Sequence, residues 1–430
     1  ERGGEPARAA TATLRAAEQA LLGSDLGAVI ERVERGVARG ASKATAGALR
    51  LCQAEAHLWR GEFALAERRG MEALERLSPG SAPWFSALTQ MILAASKRGN
   101  HDQVERLLRV AQTTEPRRSA RTARSVCLCA GAGRLLFGGR YQLADELLDA
   151  IEQDAEETDL EVEVLARLHE ARAYRAMAGG DPGASFAGFE AALAAFEQAG
   201  DRRNACWARN NLGSCYAELG DFEGAEAALR ASLADAERMG LSDARLGALL
   251  GLGPVLARLD LVEEARRTAE EAIATSQGLG DARREGAART CLARILLQTG
   301  DLGGAEREAR AAVAILYGAP PLRAFAYAVL GRALLDGGQA VDALAATTEA
   351  FCLLESVGAE VGESLVRLAH AEALSACGHR REAMMAIASA RERLLDRARK
   401  IGDPAWRARF LGNVPDNAAT LEIERRWLGA

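Results

Sequence analysis

The chain has 430 residues, a net charge of −6, 49% hydrophobic residues and only 5% aromatic ones. Its charge is too mild and too interspersed for a nucleic-acid footprint or a polybasic membrane patch. Its longest apolar run, around Leu249–Ala257, is far below a bilayer span. A core with so few rings must be built from Ala and Leu, the strongest helix formers.

In chain order, residues 1–6 read as a loose lead-in, with Pro6 suited to the first turn of a helix. Ten helix hairpins follow, at about 7–39, 44–77, 83–113, 117–154, 159–198, 202–239, 242–279, 282–317, 321–357 and 361–400. The first helix of the series is polar, rich in Ala, Thr and Arg, as a capping repeat should be. Pro79-Gly80, Glu115-Pro116, Gly200-Asp201, Gly280-Asp281 and Pro320-Pro321 punctuate the series, and Glu152–Glu163 reads as helix surface and linker. The tail breaks the period. Pro404 and Pro415 frame a short helix and a last one ending near Trp427, which reads as a C-terminal cap.

A column of turn residues and three columns of mostly small residues carry this assignment. The residue before each hairpin turn reads Ser24, Gly61, Gly99, Gly139, Gly180, Gly220, Asp260, Gly300, Gly338 and Gly378, with successive turns 37 to 41 residues apart. Five residues on stand Val29, Ala66, Val104, Ala144, Ser185, Ala225, Ala265, Ala305, Ala343 and Ala383, and seven further on comes a similar run from Gly36 to Ala390. Twelve residues before the first of these, the opposing column runs Ala17, Ala54, Ile92, Ala132, Ala173, Gly213, Gly253, Ala293, Gly331 and Ala371. Small residues at this spacing let two antiparallel helices approach closely.

Hairpin 6 shows the pattern most fully: Leu212-Gly213-Ser214-Cys215-Tyr216, then Gly220-Asp221-Phe222, then Ala225. It resembles a tetratricopeptide unit, without that family's Trp at the place of Arg209 and without its terminal Pro. The expected fold class is an all-α, right-handed α-solenoid of about ten such hairpins with a period near 40. It divides into a solenoid over residues 1–400 and capping helices over 401–430. Each hairpin is expected to contact only its neighbours.

Sites of chemistry are not in evidence. The phosphate-cradling Gly-x-x-x-x-Gly-Lys-Ser/Thr loop is missing, His169-Glu170 has Ala173 where a zinc helix needs its second His, and Cys127-Leu128-Cys129 points its thiols to different faces. Gly251 and Gly253 fall inside a helix, so they form no dinucleotide loop. The chain is read as not an enzyme, with no cofactor and no metal. The eight Cys fall mostly on apolar faces, as small hydrophobes of a reducing compartment, and the cytoplasm is the expected location. Lys occurs only at 43, 97 and 400. A start at Glu1 rather than Met points to processing or to a piece of a longer protein.

Two segments point to something more particular. Leu49-Arg50-Leu51-Cys52-Gln53-Ala54-Glu55-Ala56-His57-Leu58-Trp59-Arg60-Gly61-Glu62 is one; Arg409-Phe410-Leu411-Gly412-Asn413-Val414-Pro415-Asp416-Asn417, with Thr420-Leu421 and Trp427-Leu428-Gly429, is the other. They resemble the C-terminal tetratricopeptide region of large bacterial proteins that join a serine/threonine protein kinase to an ATPase and then to such repeats. The resemblance implies a non-catalytic scaffold or regulatory sensor arm of a signalling protein. The partner would be a protein or peptide, or the kinase and ATPase domains of the same longer chain. The alternative is a small-molecule-sensing solenoid that controls an attached kinase or ATPase.

In tetratricopeptide-like arrays the first helices line a concave groove, which makes their residues free of packing the candidate partner-binding set. These are Arg167, Glu170 and Tyr174 in hairpin 5, Trp207, Asn210, Asn211 and Ser214 in hairpin 6, Thr290 and Arg294 in hairpin 8, and Phe325 and Arg332 in hairpin 9. Hairpin 7 offers Gly247, Leu250, Gly251 and Pro254 as a bare floor, with a kink expected at Pro254. Asn amides suit a peptide backbone, and Arg294 and Arg332 suit a carboxylate. The competing reading is that the small residues serve helix packing and the polar ones form a solvated inner face.

Overall fold

The computed structural model describes residues 6–156, 160–357 and 362–429. The lead-in at 1–5 and the stretch 157–159 of the Glu-rich linker lie outside the described residues. Among the described residues the regular structure is 22 α-helices and two 3-10 turns, with no strand. The chain is thus an all-α helical repeat solenoid.

The helices pair as expected. The hairpins are α1 Pro6–Leu22 with α2 Leu26–Ala38, α3 Lys43–Trp59 with α4 Phe63–Leu74, α5 Ala82–Lys97 with α6 His101–Thr113, and α7 Arg121–Phe137 with α8 Tyr141–Glu156. Then come α9 Val162–Ala178 with α10 Pro182–Gln198, α11 Arg202–Glu218 with α12 Phe222–Met239, and α13 Ser242–Arg258 with α14 Val262–Leu279. The last three are α15 Ala282–Gln298 with α16 Leu302–Ile315, α17 Pro320–Asp336 with α18 Ala340–Val357, and α19 Glu363–Ala376 with α20 Arg380–Lys400. The tail forms α21 Pro404–Gly412 and α22 Pro415–Leu428. Helix α13 runs on through Pro254.

The turns are closed by local chemistry. All ten residues of the turn column take a left-handed φ, from 58° at Asp260 to 83° at Gly378. At Gly61 the backbone closes the preceding helix doubly: Gly61 N–H donates to Leu58 O at 3.0 Å and Glu62 N–H to His57 O at 2.9 Å. The residue after the turn then starts the next helix. The Asp25 carboxylate accepts from Ala28 N–H at 3.0 Å, and that of Asp301 from Gly304 N–H at 2.8 Å. The Gly-Asp pair thus stops one helix and caps the next.

The three small-residue columns are the contact between paired helices. Every one of their residues is buried, Ala225, Ala265, Ala305 and Ala343 completely. A Cβ built on Gly213 would come within 2.7 Å of Leu229 Cγ, and one on Gly331 within 2.3 Å of Thr347 Cγ2. First helices lie side by side, as α3, α5, α7 and α9 do, and the second helices α2, α4, α6, α16 and α18 each seat between their own first helix and the next.

The described residues form two compact units. Unit 1 comprises Glu1–Gly179, Ala187–Arg209 and Ser232–Arg245; unit 2 comprises Gly180–Phe186, Asn210–Ala231 and Leu246–Ala430. Neither is held by neighbouring hairpins alone, which corrects the nearest-neighbour expectation. In unit 1, Met239, Leu241 and Ala244 join the core of α1–α3 with Ala17, Leu21 and Leu49. Arg203 donates to the carbonyl of Leu21 at 2.5 Å and to Glu55 at 2.7 Å, satisfying the end of α1 and a partly buried carboxylate with one guanidinium. In unit 2, the tail does the equivalent work. Leu219 packs with Leu394, Ile401 and Phe410, while Asn413 Nδ2 donates to Gly220 O at 3.1 Å. The tail also covers hairpin 10, with Ile423 against Leu368 and Ile387.

Two stability measurements check this account. Ala225→Leu or Ala305→Leu should cost about 1–3 kcal/mol in denaturant unfolding by overpacking the helix crossing; no loss in either would place the column outside the contact. Ser24 holds the left-handed turn without being Gly, at φ 59°. Ser24→Gly should therefore stabilise by about 0.5–1 kcal/mol, the relief of that conformation exceeding the entropy that Gly adds to the unfolded chain.

Candidate functional site

The face that the first helices turn away from their partners carries the candidate residues, and each unit presents its own set. In unit 1 the centre is Trp207 on α11. Its indole N–H donates to the Tyr174 hydroxyl at 3.2 Å, and the Lys97 ammonium sits 4.3 Å from its ring centroid. Lys97, at the end of α5, is also paired at 2.8 Å with Asp243 at the start of α13. A half-buried ammonium over an indole face, with a carboxylate behind it, is a strong cation–π arrangement.

Beside it, Glu170 is shared by two guanidiniums. Arg167 Nη1 donates to it at 2.8 Å, and Arg134 Nη2 lies 3.9 Å away. Arg134 spreads over the rings of Tyr174 and Phe137, at 5.2 and 5.6 Å from their centroids, and Arg167 over Phe196 at 5.0 Å. Tyr174 meets Phe137 and Phe189 edge-on, both at 5.1 Å. Arg167, Glu170 and Tyr174 are buried, so of the unit 1 candidates Trp207 is the one with a partly open ring.

In unit 2 the candidates do not form one row. Asn210 is buried and its side-chain oxygen accepts no hydrogen bond, while the exposed Ser214 returns its hydroxyl to Asn210 O at 3.3 Å. Asn211 is half-buried. The Thr290 hydroxyl is buried and spent within its own helix, on Gly286 O at 2.8 Å. Arg294 is already engaged: its Nη2 lies 3.2 Å from Asp416 of α22, and its guanidinium 5.4 Å from the ring centroid of Phe325. Arg332 pairs with Glu372 at 2.5 Å and with Asp336 at 3.3 Å. The bare floor expected at hairpin 7 is part of the packing: a Cβ on Gly251 would lie 2.8 Å from Leu229 Cδ2.

Sequence reading missed Lys97, Asp243, Arg134 and Asp416. Lys97 left a trace, as one of three Lys in a chain whose cations are otherwise Arg. Asp416 stood in a quoted motif, but its partner Arg294 is 122 residues away and local patterning does not reach that far.

The thiols are held as thiols. Burial pushes those of Cys52, Cys127, Cys129, Cys215 and Cys291 up to about 12, and that of Cys206 upward as well. Such groups carry almost no thiolate at neutral pH and offer no nucleophile. His169 and His370 are held below the usual imidazole range by burial, His370 stacking on Phe351 at 4.9 Å. None of the described helices is long and apolar enough to cross a membrane.

No protein-family model and no curated protein matches the sequence. Solved structures do. The chain is similar to a Rap protein complexed with Competence and Sporulation Factor, at 14% identity and TM-score 0.58, over 80% of this chain and 96% of that one. It is similar to the apo form of RapI, at 8% identity and TM-score 0.50, over 80% and 98%. A signal transduction ATPase of the STAND type with a tetratricopeptide repeat sensor, from Pyrococcus horikoshii, aligns at 15% identity and TM-score 0.49, over 82% of this chain and 53% of that one. At these identities the likeness to the two Rap structures establishes a shared helical-repeat fold alone.

The thiol environments give a direct check. In the native protein Cys352, the exposed thiol, should react with an aromatic disulfide reagent at the rate of a free cysteine, and the half-buried Cys377 more slowly. The remaining six should react only on unfolding; fast reaction of any of them in the folded state would contradict their burial.

Proposed function

We propose that the chain is a non-catalytic binding scaffold or sensor arm, and that the first-helix face of unit 1 holds an extended peptide or a segment of a partner protein. The carrying observation is the Trp207–Lys97–Tyr174 group. In a chain with 5% aromatic residues, Trp, Tyr and Arg are gathered on one face of the first helices, where hairpin pairing uses small residues instead. A partly open Trp, hydrogen-bonded to a buried Tyr and backed by Arg, is the composition of a binding hot spot. The repeat architecture supports the same reading, since a Rap protein of this fold is complexed with a factor.

We extend this reading to the wider chain as the regulatory arm of a cytoplasmic bacterial signalling protein, with kinase or ATPase domains of the same longer chain as further partners. In it residues 1–400 are the solenoid and 401–430 its cap.

Selection of phage-displayed random dodecapeptides on the full chain tests the binding face. Peptides that bind should lose about thirtyfold in affinity to Trp207→Ala, the loss of one hot-spot ring. Lys97→Met, which keeps the aliphatic stem over the ring, should weaken them less, by about fivefold. Both variants should keep the parent's helical circular dichroism. Failure to select any peptide, or equal binding by both variants, would refute the proposal.

A further inference from the structure

The unit 1 face holds one buried guanidinium that makes no hydrogen bond. Arg134, on the last turn of α7, is 7% exposed, and its Nε is buried without an acceptor. Arg69, Arg203 and Arg397 also have a buried, unbonded Nε, but each places a terminal nitrogen on an acceptor. Arg69 reaches Glu72 and Glu34, Arg203 reaches Leu21 O and Glu55, and Arg397 reaches Glu218. Arg134 reaches none among the described residues. The carboxylate that faces it, Glu170, lies 3.9 Å from Nη2, beyond hydrogen-bond reach, while the other oxygen of Glu170 is held by Arg167 Nη1 at 2.8 Å. Two guanidiniums thus face one buried carboxylate, and Arg167 alone is hydrogen-bonded to it.

Arg134 is held instead by rings. Its guanidinium lies 5.2 Å from the centroid of Tyr174 and 5.6 Å from that of Phe137. Ring faces fix a guanidinium without consuming its N–H donors, which lie in the plane of the group. A buried donor set left unpaired is costly, and an arriving acceptor removes that cost. The approach is open on one side. Tyr174, Glu170 and Arg167 are buried, but Phe137 is 39% exposed, and of the Arg134 nitrogens Nε alone is shut off from the surface. A planar fork suits a planar acceptor with two oxygens. With Glu170 already 3.9 Å away, a singly charged carboxylate is repelled less than a doubly charged phosphate.

We propose that Arg134 is the anion anchor of the unit 1 face and takes a carboxylate of the bound peptide, from an acidic side chain or from the C-terminus, by way of the open Phe137 ring. The inference rests on the peptide-binding reading of that face and adds the charge of the ligand to it. Tyr174 joins the two anchors, since its ring lies beside Arg134 and its hydroxyl accepts from Trp207.

The test uses the full chain and random dodecapeptides displayed with a free C-terminus. Each selected peptide is synthesised in three forms: as selected, with its C-terminus amidated, and with its Asp and Glu changed to Asn and Gln. One of the two changes should weaken binding to the parent about tenfold, and which one does so assigns a terminal or a side-chain carboxylate. Arg134→Gln should weaken the selected form by a similar factor and should then bind all three forms alike. A merely structural role for Arg134 would weaken the three forms equally and leave their ratios unchanged. Should Arg134→Gln lose the parent's circular dichroism, Arg134→Lys, which keeps the charge but not the fork, carries the same comparison with a loss of about threefold.

Peptides that depend on Trp207 yet bind the parent equally in all three forms overturn the anion anchor and leave the binding face standing. So do peptides whose carboxylate matters as much to the Arg134 variant as to the parent. Selection of no peptide refutes the face itself and this inference with it.

Discussion

Two antiparallel helices that cross on Ala and Gly are the constraint on which this molecule rests. At Gly213 against Leu229 and at Gly331 against Thr347, backbone and side chain are so close that an added methyl has no room. Such an approach lets a core be built without rings, because dispersion between close-packed backbones replaces the area an aromatic would bury. It also dictates the turn. With helices this close, the chain must reverse within a residue or two, and a left-handed residue followed by a capping Asp or Asn does so while satisfying the exposed backbone groups. Composition, period and turn chemistry are therefore one solution to one packing problem.

The large and charged side chains are consequently released for other work, and the structure spends them on reaching past the neighbouring hairpin. Arg203 ties the start of α11 to α1 and α3; Lys97 ties α5 to α13; Arg397 reaches Glu218. Each is a partly buried charge with a carboxylate or carbonyl partner, where removal of one member leaves the other desolvated and unpaired. These contacts make each unit cooperative beyond the nearest-neighbour arithmetic of an ideal repeat protein. They also explain why candidate groove residues such as Arg294 and Arg332 are engaged within their own unit.

Most of the fold was legible because its rule is local. The turn at 220–221, the column from Ala17 to Ala371 and the helix lengths all follow from residues within about forty positions of one another. The candidate site was legible only in kind. Trp207 was recognisable as a ring that hairpin pairing does not use, and its hydrogen bond to the buried Tyr174 spans 33 residues, close to one repeat. Thr290 and Asn210 sit at the same helical spacing yet are buried, because periodicity gives the direction of a side chain but not what arrives to cover it.

By itself, then, the sequence determined the all-α repeat, its ten turns and the small-residue faces on which helices meet, since these are set by short-range sterics and backbone hydrogen bonding. Only the tertiary structure decided which charges are spent and on what: Lys97 on Trp207 and Asp243, Arg203 on Leu21 and Glu55, Asp416 on Arg294. Those pairings join residues up to 182 positions apart. They depend on which distant hairpins meet within a unit, which is written in no single repeat.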